Sequence, residues 1–236
     1  MATITTANAE LLVFPLSGPT GGSGITAVDV IVVDIEDSDG QSGTGFSYVL
    51  GGGGAMVAAA AKDMLERFVA GHEIVPPQAL WRRLAGSLNR LGRGYGYLAI
   101  AAIDVAMWDL HSKRLEMPLY AALGGTARTL PVYGSGGYGP TQDTDAAVAR
   151  SLEYAEMGCK AVKLRVAGAA ADLDRIRAVA NALPDGVDIM ADANEKCDLT
   201  RAQWLVNALA DVNALWLEEP LPAHDTNGFA TLAANS

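Results

Sequence analysis

Three apolar runs in the second half of the chain end in charge. Ala214-Leu215-Trp216-Leu217 runs into Glu218-Glu219, and Pro220 stops it. Val187-Asp188-Ile189-Met190-Ala191 leads to Asp192-Ala193-Asn194. Ala161-Val162-Lys163-Leu164-Arg165-Val166 carries two cations on alternate residues. Short runs of this kind read as strands buried on both faces, as in a parallel sheet. Burying a carboxylate is costly unless it is paired or bound to a metal. Glu218 and Glu219 therefore mark where a strand enters an open mouth. Alternate residues of a strand share a face, so Lys163 and Arg165 point the same way. A cation pair, an Asp and a Glu thus fall on three consecutive strands separated by helical stretches. That places them where a βα barrel carries its active site.

Strand-end carboxylates on neighbouring strands suit a hard divalent cation. Mg2+ prefers oxygen, keeps several waters and needs few carboxylates. A nearby lysine can serve as acid, base or binder of an anion, and burial with cationic neighbours lowers its pKa toward a working range. A metal beside a cation is what a carboxylate substrate needs when its α-proton is removed, because negative charge then develops as an enediolate. The competing reading of any one of these carboxylates is a helix cap or an ordinary ion pair.

The elements that must position this group follow a regular grammar. From Thr129 onward, strand candidates at 130–135, 160–166, 187–193 and 214–218 alternate with helix candidates at 143–157, 170–182, 199–211 and 225–234. Such alternation indicates parallel βα units. Before residue 125 the pattern is different. Strands are expected at 8–14, 25–36 and 43–49, and helices at about 55–69, 76–88 and 97–113. Leu80, Trp81, Leu84 and Leu88 form one expected core stripe, and Ile100, Ile103, Met107 and Trp108 another. Asp104, beside the second stripe, reads as a paired structural carboxylate. Residues 15–24 are rich in Gly, Pro and Ser and read as a mobile loop, either a lid or a hairpin tip. Gly51–Gly54 precede a helix but lack the Lys-Ser/Thr of a P-loop, so they read as a turn.

Composition excludes several classes. The 236 residues, half of them hydrophobic, suit a globular protein of one or two domains. A net charge of −10 argues against nucleic acid or an acidic membrane as partner. Cys159 and Cys197 make no metal-ligand spacing and read as packing residues in a reducing cytoplasm. Neither a signal peptide nor a membrane span is expected. His224 reads as a surface turn residue, and His72 and His111 as ordinary helix-end residues.

Taken together, five segments resemble the enolase superfamily, in its mandelate racemase / muconate lactonizing enzyme group. They are Ala101–Leu110, Pro118–Gly125, Ala161–Arg165, Asp192-Ala193-Asn194 and Trp216–Pro220, in family order. The resemblance implies an α+β N-terminal capping domain over 1–127. A (β/α) barrel then follows over 128–236, of which only about four βα units are present. It implies Mg2+ held by Asp192 and Glu218, and Lys163 facing the carboxylate of a small-molecule substrate. Asn194 would lie beside the metal and Glu219 behind the ligands. The loop 15–24, with Ser17, and the region around Ser135 and Tyr138 would shape substrate choice. A homo-oligomer is expected.

Two departures from the family pattern shape the functional expectation. Arg165 stands where the family often has a catalytic lysine. A guanidinium stays charged near neutrality and is a poor base, so Arg165 reads as a binder or electrophilic helper. A one-base dehydratase of a hydroxy acid or sugar acid is therefore expected ahead of a two-base racemase or epimerase. A cycloisomerase or dipeptide epimerase ranks lower still. The family's third metal ligand lies on a strand beyond Ser236, so a truncated, non-catalytic fragment or an assembly partner with open strand edges is the alternative expectation.

Overall fold

The computed structural model describes residues 2–20, 25–139 and 141–235. The chain divides into two compact units, Met1–Arg128 and Thr129–Ser236.

The first unit is built on an antiparallel meander of β1 (Ile4–Thr20), β2 (Ile25–Asp37) and β3 (Ser42–Leu50). The β-branched run of β2 alternates by face. Ile31, Val33 and Ile35 are fully buried on the side covered by helices. Those helices are α1 (Gly54–Phe68) and α3 (Gly94–Arg114); α2 (Pro77–Ser87) packs on both of them, and the short α4 (Leu119–Ala122) on α3. α3 lies directly on the backbone of β3. A Cβ at Gly43 would sit 2.2 Å from Ala106 O, and one at Gly45 would sit 2.2 Å from Ala102 O. Glycine at both positions is what permits that approach.

Both expected core stripes are largely in place. Leu80, Leu84, Leu88, Ile100, Ile103 and Met107 are buried. Trp81 is not. It stands exposed at the edge, packed against Tyr97 with ring centroids 6.3 Å apart. Asp104 is half-buried, and burial raises its pKa. The pairing expected for it is not seen among the described residues. The glycine run is a turn: Gly51, Gly52 and Gly53 all have positive φ. The Gly54 N–H donates to Asp29 Oδ2 at 2.9 Å, so a carboxylate already occupies the amide that a phosphate would need.

The expected loop over 15–24 needs correction. β1 continues through Thr20, pairing Pro15 with Ala27 and, after a register shift, Thr20 with Ile25. The rest of that segment, Gly21–Gly24, lies outside the described residues.

The second unit is a four-stranded parallel sheet in sequential order. Its strands are β4 (Tyr133–Gly134), β5 (Ala161–Arg165), β6 (Asp188–Asp192) and β7 (Leu217–Glu218). A helix follows each strand: α5 (Thr144–Glu156), α6 (Ala170–Ala182), α7 (Leu199–Ala210) and α8 (Thr226–Ala234). Asp143, Asp198 and Asp225 cap α5, α7 and α8 through their carboxylates. Val162, Leu164, Ile189 and Ala191 bury one face of the sheet with Ile176, Val179 and Leu205.

β7 is shorter than expected and is not buried on both faces. Leu215 and Trp216 are about half exposed, because β7 is the outermost described strand and packs on one side only. Their backbone still bonds to β6, through Leu215 N to Ile189 O and Ala191 N to Trp216 O. β4, the opposite outer strand, is also shorter than expected, and Leu130 and Val132 ahead of it are exposed. Among the described residues, no helix is long and apolar enough to cross a membrane.

Candidate active site

Sheet register builds the site. β5 pairs with β6 so that Arg165 faces Asp192, and β6 pairs with β7 so that Asp192 faces Glu218. The ends of three parallel strands thus deliver a cation, a carboxylate and a second carboxylate side by side. Lys163, two residues before Arg165, reaches into the same group. Its Nζ donates to Glu218 Oε2 at 2.7 Å and lies 3.6 Å from Asp192 Oδ2. Arg165 Nη1 is also 3.6 Å from Asp192 Oδ2. Asp192 and Lys163 are nearly buried, whereas the Glu218 side chain is 38% exposed and opens the group to solvent.

The loops beyond β6 and β7 are stitched together. Asp192 Oδ1 accepts from the backbone N–H and from Nδ2 of Asn194, both at 2.9 Å. Asn194 Nδ2 also donates to Glu219 Oε2 at 3.3 Å. Asn194, Glu195 and Glu219 have φ of 43°, 60° and 44°. Only two other non-glycine residues among those described, Glu116 and Asn213, have positive φ. Left-handed backbone on L side chains persists only where the surroundings impose it, and it collects at functional sites.

Two aromatic residues complete the wall. The Tyr133 ring lies 5.6 Å from Lys163 Nζ and packs edge-on against Trp216 at 6.0 Å. Trp216 Nε1 donates to Glu218 Oε2 at 3.4 Å. Sequence reasoning did not assign these contacts. The available signal was that Tyr133 lies on a strand candidate beside that of Lys163, and that Trp216 precedes Glu218 by two residues in the same apolar run. Ser135 sits exposed on the turn after β4, and Ser17 is an exposed β1 residue of the first unit. Among the described contacts, Ser135 makes none of those that join Lys163, Arg165, Asp192, Asn194, Glu218 and Glu219.

The electrostatics of Lys163 run opposite to expectation. Burial on its own lowers the Lys163 pKa. The Glu218 hydrogen bond and the Glu218 and Asp192 charges outweigh it and hold the pKa above the ordinary 10.5. The expected cationic neighbour, Arg165, is turned to Asp192 instead. A raised folded-state value means that the charged lysine stabilises the fold fully below pH 10.5, and that this is lost as pH climbs through the higher value. Thermal melts across the alkaline range should therefore fall more steeply for the unaltered chain than for Lys163→Met. Parallel curves would remove this ion pair from the stability of the fold.

Among the described residues, no three His, Cys, Asp or Glu side chains gather as a ready-made cage for a metal ion. Asp192 and Glu218 nonetheless converge on one ammonium, so a positive charge fits between their oxygens. Two carboxylates with solvent access match an ion that retains several waters. The residues present fit Mg2+ in ligand type, as two oxygen donors of a larger shell.

Residues 6–124 match the family model described as mandelate racemase / muconate lactonizing enzyme, N-terminal domain. Residues 146–236 match that of the enolase C-terminal domain-like family. The chain belongs to the enolase superfamily. Within it, the chain is 32% identical over 213 residues to L-talarate/galactarate dehydratase of Salmonella typhimurium, covering 89% of this chain and 53% of that protein. It is 33% identical over 215 residues to 3,6-anhydro-alpha-L-galactonate cycloisomerase of Streptomyces coelicolor, covering 88% and 58%. Among solved structures, L-talarate dehydratase from a Polaromonas species, complexed with Mg and L-glucarate, superposes with a TM-score of 0.88 at 31% identity. That match covers 99% of this chain and 64% of the other. A racemase from Streptomyces coelicolor with bound magnesium gives a TM-score of 0.89 at 30% identity, covering 99% and 67%. The chain thus spans a little over half the length of these two curated relatives. It comprises the family's N-terminal capping domain and a barrel-like C-terminal domain.

Proposed function

We propose that this chain carries the Mg2+-binding and carboxylate-binding part of an enzyme that removes the α-proton of a hydroxy-acid or sugar-acid substrate. Dehydration is the favoured outcome, with racemisation or epimerisation second. The observation that carries the reading is the convergence of Lys163, Arg165, Asp192 and Glu218 at the ends of three adjacent parallel strands. Relatives named as sugar-acid dehydratases support the substrate class.

In this reading Asp192 and Glu218 hold the metal, and Asn194 keeps the Asp192 carboxylate oriented. When bound, Mg2+ supplies positive charge beside the substrate carboxylate, where negative charge develops as the α-proton leaves. Arg165 stays protonated and donates to the substrate. Lys163, while Glu218 and Asp192 face it, keeps its proton and is a second donor to the carboxylate; as the neutral amine it is the candidate base. In dehydration the α-proton passes to a base, the electrons of the broken α-C–H bond form the new C=C bond, and the β-hydroxyl takes up a proton and leaves as water. With a guanidinium at Arg165, that base is Lys163 in its neutral form or a residue elsewhere. Arg165 in place of a lysine removes a second base and favours that outcome over racemisation.

The test is proton exchange. The chain is incubated with Mg2+ and a panel of hydroxy acids and sugar acids in heavy water, and the α-proton is followed by NMR. At least one acid should lose its α-proton signal in a Mg2+-dependent way. Absence of exchange across the panel, with Mg2+ shown to bind, would overturn the catalytic reading while leaving the metal assignment in place.

A further inference from the structure

Beyond Asp192 and Glu218 the two strand-end loops continue side by side, joined by a ladder of backbone bonds. Ala193 N donates to Glu218 O at 2.9 Å, Glu195 N to Glu219 O at 2.7 Å, and Cys197 N to Pro220 O at 3.1 Å. One side chain closes the ladder at its outer end. Glu195 Oε1 accepts the backbone N–H of Ala223 at 2.8 Å. Glu195 therefore grips the loop after β7 at two points, through its own N–H at Glu219 and through its carboxylate at Ala223. It does so from a left-handed conformation, φ 60°, between Asn194 at 43° and the facing Glu219 at 44°. A free chain would leave that conformation, so the two grips and the ladder are what hold it.

We infer that Glu195 is a positioning residue for the carboxylate pair: it locks the Glu218–Ala223 turn onto the end of β6 and so fixes where the Glu218 carboxylate stands relative to Asp192. Glu195 itself is exposed, and its carboxylate is committed to Ala223 rather than to the strand-end group. Its carboxylate holds the Ala223 amide, and the effect reaches Glu218 through the backbone of the turn. The part of this inference that concerns the metal rests on the assignment of Asp192 and Glu218 as ligands.

The test compares Glu195→Ala with Glu195→Gln, whose amide oxygen can still accept the Ala223 N–H. Two readouts need no metal. Hydrogen exchange at the Ala223 amide reports the grip itself. The Trp216 indole N–H resonance reports Glu218, because Trp216 Nε1 donates to Glu218 Oε2. The third readout is Mg2+ affinity by calorimetry. For Glu195→Ala, Ala223 exchange should rise about tenfold, the Trp216 indole resonance should shift, and Mg2+ affinity should fall about tenfold, in the range for residues that orient metal ligands. For Glu195→Gln all three should stay within about twofold of the starting protein. The thermal midpoint of both variants should be little changed, which separates positioning from general stability. Unmoved Ala223 exchange and Trp216 resonance in Glu195→Ala would overturn the inference. Equal effects of Gln and Ala would overturn it too, by showing that charge and not the hydrogen bond matters. If the unaltered chain gives no calorimetric signal with Mg2+ while those two readouts respond, the positioning role stands and the metal assignment fails.

Discussion

Replacing Asp192 with asparagine should weaken Mg2+ binding by about a hundredfold or more, in line with the loss of an oxygen ligand from a site with few of them. The side chain keeps its size but loses its charge. Asp192 Oδ1 is engaged by two donors from Asn194, and Oδ2 faces both Lys163 and Arg165. An amide NH2 in place of either oxygen meets a donor where it needs an acceptor. The remaining carboxylate, Glu218, is more than a third exposed and is already held by Lys163. It cannot replace the buried ligand. The cost to stability is smaller, about 1–2 kcal/mol, because Lys163 keeps Glu218 and Arg165 keeps access to water. Calorimetric titration with Mg2+ decides the matter, with a thermal melt as control. Unchanged affinity in a folded Asp192→Asn protein would sink the metal assignment.

The second large effect is on folding. Asp172→Ala should destabilise the second unit by about 3–5 kcal/mol, as expected when one partner of a buried ion pair is removed. The Asp172 side chain is fully buried. Its Oδ2 accepts the backbone N–H groups of Ala167 and Ala169 at 2.8 and 2.9 Å. Its Oδ1 is paired with Arg175, which is nearly as deeply buried. Arg175 in turn donates to Gln142 O at 2.7 Å and Arg165 O at 3.4 Å. One carboxylate thus ties together the start of α6, the end of β5 and the loop ahead of α5. Its loss leaves a guanidinium without its anion and two amides without an acceptor. The midpoint of the second unit should fall by on the order of 15 °C in scanning calorimetry. A fall of only a degree or two would mean that water replaces the pair without penalty. Asp172 also bears on the site, because it braces the segment immediately after Arg165.

How much of this was legible follows the range of the interactions. Element type is written locally. The β-branched alternation of β2, the Asp caps of α5, α7 and α8, and the strand–helix alternation after Thr129 are all readable from neighbours in the chain. The gathering of Lys163, Arg165, Asp192 and Glu218 was legible too. In sequential parallel strands joined by helices, consecutive strand ends become spatial neighbours, so order along the chain stands in for order in space.

The details that depend on what each face meets were not legible. Asp172 and Arg175 stand three apart on a helix, the spacing of an ordinary solvated pair, and nothing local says that α6 buries them. Trp216 lies in an apolar run suited to a buried strand, yet it stands just ahead of β7, the outermost described strand, and its ring packs edge-on against Tyr133, the neighbour of Lys163. The direction of the Lys163 pKa depended on which charge came closer, and that was decided by the Arg165–Asp192 register rather than by sequence adjacency. Glu195 looked like one more surface carboxylate until the facing loop placed the Ala223 amide against it. The sequence by itself determined the elements, their order and the charged residues at their ends, because those depend on propensity and on connections of short range. Only the tertiary structure decided which carboxylates are buried, which are paired and which hold the backbone in place, because those depend on groups brought together from distant parts of the chain.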